Sequence, residues 1–111
     1  MTYNEWIKNI DDELRPDKSF DIIKRELEIG GRSAVLYFID GFIKDEVYEK
    51  ILEFLYAQTP DDIADIHDMK EFSRLKMPYV ETESSEDIEF VKTVILSGPS
   101  VLLIEGISGA L

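Results

Sequence analysis

Two short stretches constrain this chain more than anything else in it. "VLYFIDGF" spans residues 35–42, and "VLLIEGIS" follows at 101–108. Each is an unbroken apolar run that ends in an acid and a glycine. A strand that is apolar at every position is covered on both faces, because a half-exposed strand alternates. The chain therefore needs a sheet with cover on two sides. Helix-like sequence fills the gap between the stretches. A strand–helix–strand unit of this kind is normally right-handed with its strands parallel, so the two runs are expected to be parallel neighbours. The echo is only about seven residues long, so it is repeated sheet grammar and not a repeat architecture.

The other elements follow from periodicity. Tyr3, Trp6, Ile7, Ile10 and Leu14 recur at helical spacing, and Pro16 ends that helix. "SFDIIKRELEI" (19–29) reads as a strand with Ile23, Arg25 and Leu27 on one side and Ile22, Lys24 and Glu26 on the other. Gly30-Gly31 then supplies a hairpin turn into 33–40, since glycine accepts positive φ. A helix is expected over 45–58, with Val47, Ile51, Phe54 and Leu55 as its buried stripe. Thr59, Pro60, Asp61 and Asp62 open another over 59–75. Residues 76–83 read as a short strand, and 84–98 as a helix begun by Ser84 and Asp87 and stopped by Gly98. The last strand is 100–106. The expected fold is α/β: a small mixed sheet, made of an antiparallel hairpin plus a parallel strand after a helical crossover, packed with helices. Residues 1–18 form a helical extension and 19–111 a single α/β domain.

A chain of 111 residues is long enough for one core and too short for two comfortable ones. The absence of cysteine removes disulfides and thiolate metal sites. The net charge is −12, from 12 bases against 24 acids. Such a surface repels phosphate backbones and anionic lipid alike, so no nucleic acid is expected as a partner. No apolar run approaches the ~18 residues of a membrane span, and the acidic N-terminus lacks a signal-peptide core. The chain as given reads as soluble.

Candidate chemistry is sparse. His67, the one histidine, stands beside Asp65 and Asp68, which suggests a metal site or a general base. A solvated polar helix face explains these residues more simply, because ligand sets need several convergent side chains. Asp61, Asp62, Asp65 and Asp68 are spread around a helix axis and lack EF-hand spacing, so capping and solubility account for them better. Asp40 and Glu105 sit at strand ends, where ligand sites of α/β proteins form. With Gly41 and Gly106 they are the candidate ligand-facing positions. As a carboxylate pair they suit acid–base work, but no nucleophile or oxyanion donor accompanies them. No catalytic residue, no cofactor and no metal is expected.

The order of several phrases carries a resemblance. "LYFIDG" (36–41), the acidic-apolar helix at 45–55 and "LSGPSVLLIEG" (96–106) together resemble the spore germination GerA family. More closely, residues 20–111 are similar to the first soluble N-terminal subdomain of the A subunit of nutrient germinant receptors. Pro99-Ser100 stand where the family usually has an acid and a small hydroxylated residue, and Lys44 stands where it commonly has an acid. The resemblance implies a soluble part of a receptor at the spore inner membrane, on the cytoplasmic side, with a second subdomain and membrane helices following in the full-length protein. It also implies the other receptor subunits as partners, and it carries over no catalytic or ligand-contact residue.

The expected function is therefore a non-catalytic domain working in receptor assembly or signal transmission during nutrient-triggered germination. A small-molecule-sensing module at the strand ends is the alternative, and a small acidic hydrolase using Asp40 or Glu105 a third reading. Because "SGAL" (108–111) follows directly on the last strand, that strand is expected to present an open edge or an apolar patch. Either would dock the next subdomain or a second copy.

Overall fold

The computed structural model describes residues 2–18, 21–39, 45–76, 84–97 and 99–111. Its centre is one three-stranded sheet, ordered β1 (Ile22–Ile29), β2 (Arg32–Ile39), β3 (Val101–Ile104). The hairpin between β1 and β2 pairs Ile22 with Ile39 at one end and Ile29 with Arg32 at the other. Gly30 and Gly31 close it with φ of +55° and +78°, the backbone that a two-residue type I′ turn requires of both central positions. Gly30 is needed for space as well. A Cβ there would lie 2.7 Å from Ile63 Cδ1 and 2.9 Å from the Thr59 carbonyl.

β3 corrects one expectation. It runs antiparallel to β2, with Tyr37 opposite Val101 and Ala34 opposite Ile104. The chain thus re-enters the sheet beside the end of β2 from which it left. The chain does reach the far end of the sheet, where Thr59 and Ile63 lie against Gly30, but it returns before β3 begins, so the strand enters from the end that antiparallel pairing requires. Among the described residues of the excursion there are four helices: α2 (Asp45–Tyr56), α3 (Pro60–Ile63), α4 (Met69–Lys76) and α5 (Ile88–Leu96).

Both faces of the sheet are covered, as the continuous apolar runs require. On one face Leu27, Ile29, Ala34, Leu36, Phe38, Leu102 and Ile104 pack with Leu55, Ile63, Ile66, Met69 and Phe72 from α2 to α4. Ile51 and Phe54 of α2 are partly buried there, while the Val47 side chain is outside the described set. On the other face Val35, Tyr37, Val101 and Leu103 meet Trp6 and Ile10 of α1 (Tyr3–Leu14) and Val91 and Ile95 of α5. Each fully buried Val, Leu or Ile side chain contributes about 1.5–3 kcal/mol. Alternate residues of β2 and β3 therefore hold two helical layers to one sheet.

The helices are bounded by their caps. Thr2 and Glu5 form a reciprocal capping box on α1, and Thr59 and Asp62 form another on α3. The expected single helix over 59–75 is two helices. Between them the His67 carbonyl accepts from Ser108 N–H at 2.8 Å, and Met69 N–H donates to the Ser108 carbonyl at 2.9 Å. These tertiary bonds replace the helical ladder there. α5 begins later than expected, at Ile88, because Asp87 is the cap and accepts from Glu89 and Phe90 N–H. Lys76 ends α4, so the expected strand over 76–83 falls, beyond that residue, outside the described residues.

β3 is not an open edge. After Ile104 the chain turns at Glu105-Gly106 and comes back alongside. Leu102 and Leu111 exchange both backbone hydrogen bonds, at 3.2 and 3.0 Å. The same C-terminal segment bonds in both directions to Ser85 through Ala110, at 3.0 and 2.9 Å. The expected open edge after the last strand is thereby overturned: the chain's own tail satisfies the outward groups at the centre of β3.

Candidate functional site

The sequence-predicted ligand positions fall as follows. Asp40 and Gly41 lie outside the described residues. Glu105 and Gly106 form the exposed turn that leads from β3 into the C-terminal segment. Ile107 N–H closes this turn onto the Ile104 carbonyl at 3.1 Å, and Gly106 has a φ of +82°, as the third residue of a type II turn must. Glu105 N–H also donates to the Ser33 carbonyl at 2.8 Å. Ser33 lies near the start of β2, whereas the strand leaves the sheet at Ile39. The corner after β3 is thus at the opposite end of the sheet from the exit of β2.

His67, Asp65 and Asp68 are all exposed. Asp68 caps the start of α4, its carboxylate accepting from Glu71 N–H at 2.8 Å. Among the described residues no three His, Cys, Asp or Glu side chains gather in a way that would hold a metal ion.

The most organised polar group lies elsewhere, under α1. Asp11, one turn before the end of that helix, stands over the even-numbered face of β1. Its Oδ1 accepts from the Tyr37 hydroxyl at 2.8 Å, and its Oδ2 from Lys24 Nζ at 2.6 Å. Tyr37 is fully buried and directly opposite Lys24 across the hairpin. Burial, then the hydrogen bond to Asp11 and its charge, push the Tyr37 hydroxyl well above the usual phenol range. It therefore stays a donor. Lys24 neutralises the carboxylate, and Glu26 sits 3.8 Å from the same ammonium. At the other end of α1, burial and the charges of Glu105 and Glu26 raise the Tyr3 hydroxyl.

A second polar clamp joins α1 to α5. Lys92, almost fully buried, pairs with Glu13 of α1 and with Glu89 of its own helix, the latter at 3.1 Å. The two carboxylates hold the Lys92 ammonium protonated above the ordinary lysine range.

Chemically these groups fasten α1. The carboxylate has both oxygens engaged, the tyrosine is a fixed donor and the lysines are neutralised, so none is free to attack or to exchange a proton with a substrate. Sequence reasoning missed the cluster. Its members are 13 and 26 residues apart, and no local period links them.

A family model described as "Bacillus/Clostridium GerA spore germination protein" matches residues 8–111. Among solved structures, the chain is similar to the N-terminal domain of the A subunit of the Bacillus megaterium spore germinant receptor GerK3. The TM-score is 0.66 at 16% identity, covering 96% of this chain and 86% of that one. No curated protein matches. Both descriptions are of germination proteins and neither names an enzyme. No helix among the described residues is long and apolar enough to cross a membrane.

Proposed function

The chain belongs to the Bacillus/Clostridium GerA spore germination family, and we propose that it is a non-catalytic domain of a germination receptor, acting in assembly or signal transmission. The observation that carries this reading is the family match through residues 8–111, together with the fold it shares with a germinant-receptor A-subunit domain. The polar groups support it. The best-organised cluster joins a helix to a sheet, Asp11 to Lys24 and Tyr37, and offers no nucleophile. In this reading residues 19–111 are the α/β domain and 1–18 add a helix to it. Glu105 and Gly106 serve the turn into the C-terminal segment. The domain works at the spore inner membrane, on its cytoplasmic side, with the other receptor subunits as partners and no cofactor.

Affinity isolation of the tagged protein from detergent-extracted spore membranes tests the assembly reading. The expected result is recovery together with other germination-receptor subunits. Recovery solely from the soluble fraction, free of those subunits, overturns it.

A further inference from the structure

The C-terminal segment bonds to the starts of two helices that lie on opposite faces of the sheet. Toward one face, Ser108 N–H donates to the His67 carbonyl at 2.8 Å, and the Ser108 carbonyl accepts from Met69 N–H at 2.9 Å. Met69 is the first residue of α4 and packs in the core on that face. The tail thus satisfies one of the N–H groups that a helix start leaves without a helical partner. Asp68 caps the same helix, accepting from Glu71 N–H. Toward the other face, Ala110 and Ser85 exchange both backbone bonds, at 2.9 and 3.0 Å. The Ser85 hydroxyl accepts from Asp87 N–H at 3.0 Å, and the Asp87 carboxylate caps α5 by accepting from Glu89 and Phe90 N–H. Val91 and Ile95 of that helix lie in the second core.

We propose that residues 108–110 are a coupling strap that makes the start of α4 and the start of α5 shift together. The strap cannot stretch. Ser108 and Ala110 are two residues apart, so the chain between them spans at most about 7 Å. The bonds at both ends join backbone to backbone, so side-chain rotation cannot absorb a shift. The space around the middle residue is filled as well. Gly109 has a φ of +87°, and a Cβ there would lie 3.0 Å from the Ser85 carbonyl oxygen and 3.0 Å from Glu86 Oε1. That same Glu86 oxygen accepts from the Ser108 hydroxyl at 2.8 Å. A displacement at either helix start therefore passes through the strap to the other. This deepens the signal-transmission reading above, on which its use in a receptor rests, while the coupling itself is a property of the isolated chain.

Amide hydrogen exchange of the purified chain, followed residue by residue by NMR, tests the coupling separately from the receptor reading, which the co-isolation above tests. Asp68 and Asp87 are exposed, so Asp68→Ala and Asp87→Ala each loosen one helix start and leave the core in place. The expected result is a cross effect. Asp87→Ala should speed exchange at Met69 N–H by at least about five-fold, and Asp68→Ala should speed exchange at Ser85 and Ala110 N–H by a similar factor, because coupling is reciprocal. Amides of the β1–β2 ladder should change less than these in both variants. Gly109→Ala, whose new methyl drives Ser85 and Glu86 away from the tail, should abolish both cross effects when either cap variant is placed in that background. Absence of the cross effects in the single variants, equal acceleration of the ladder amides, or cross effects that persist with Gly109→Ala overturns the proposal.

Discussion

The Tyr37 hydroxyl and the Asp11 carboxylate meet at 2.8 Å, across the layer between β2 and α1. Asp11→Ala should cost about 2–3 kcal/mol, because it strands a buried hydroxyl and removes the Lys24 partner together. Tyr37→Phe removes one donor from a carboxylate that keeps Lys24, and should cost about 1 kcal/mol. Urea unfolding of both variants checks the order. A smaller loss for Asp11→Ala than for Tyr37→Phe contradicts the role given to Asp11.

The same hydroxyl predicts an alkaline limit. Its folded-state pKa lies above the ordinary value of 10.0. Such a group contributes stability that is fully present below the unfolded pKa and is lost as pH rises past it. Unfolding free energy should therefore fall as pH climbs above about 10, and fall less steeply in Tyr37→Phe. Parallel pH profiles for the two proteins contradict this.

Acid acts at the start of α1. Hydrogen bonds from Thr2 hold the Glu5 carboxyl below its usual 4.5. A lowered pKa contributes stability above the unfolded value that disappears as pH falls through the folded one. Helix signal from α1 should decline below pH 4.5, and Glu5→Gln should show a flatter acid profile by circular dichroism.

Two adjacent glycines separate strain from overlap. Gly31→Ala meets only the cost of positive φ, since its nearest foreign atom would be Pro60 Cγ at 3.7 Å. Gly30→Ala meets that cost plus contacts of 2.7 and 2.9 Å with Ile63 and Thr59. Gly31→Ala should cost about 1 kcal/mol and Gly30→Ala about 1–3 kcal/mol more. Equal losses in thermal unfolding contradict the close packing of the turn against α3.

Much of this arrangement is legible in the sequence, and the remainder is hidden for definite reasons. The continuous runs at 35–39 and 101–104 announce buried strands, and Gly30-Gly31 announces the turn. Strand direction is not encoded in such a run, because a strand covered on both faces looks the same whichever way it points. Direction was decided by where the chain re-enters, at Val101 beside Tyr37. The break after Ile63 is likewise invisible locally, since its cause, Ser108, lies about forty residues away. Glu105 and Gly106 attracted notice as an acid–glycine corner, and that corner is a turn. The Asp11–Lys24–Tyr37 cluster has no sequence signature, because a helix and two neighbouring strands each contribute one member.

The tail carries a prediction of its own. Leu102 N–H is bonded to Leu111, so its hydrogen exchange should be as slow as that of interior ladder amides. Removing residues 107–111 should speed that exchange by at least ten-fold, about 1.4 kcal/mol of local stability, and promote association through the bared edge of β3. Unchanged exchange at Leu102 contradicts the closure of this edge.

The role in germination is tested most directly in spores of the organism that carries the gene. Loss of optical density after nutrient addition would be compared in three strains: gene intact, gene deleted, and gene carrying Leu103→Asp at a position 1% exposed in the core under α1 and α5. The account predicts that deletion slows or abolishes the response to at least one nutrient, that the intact gene restores it and that the core variant does not. Deleted spores that germinate at the original rate with every nutrient mixture would contradict it.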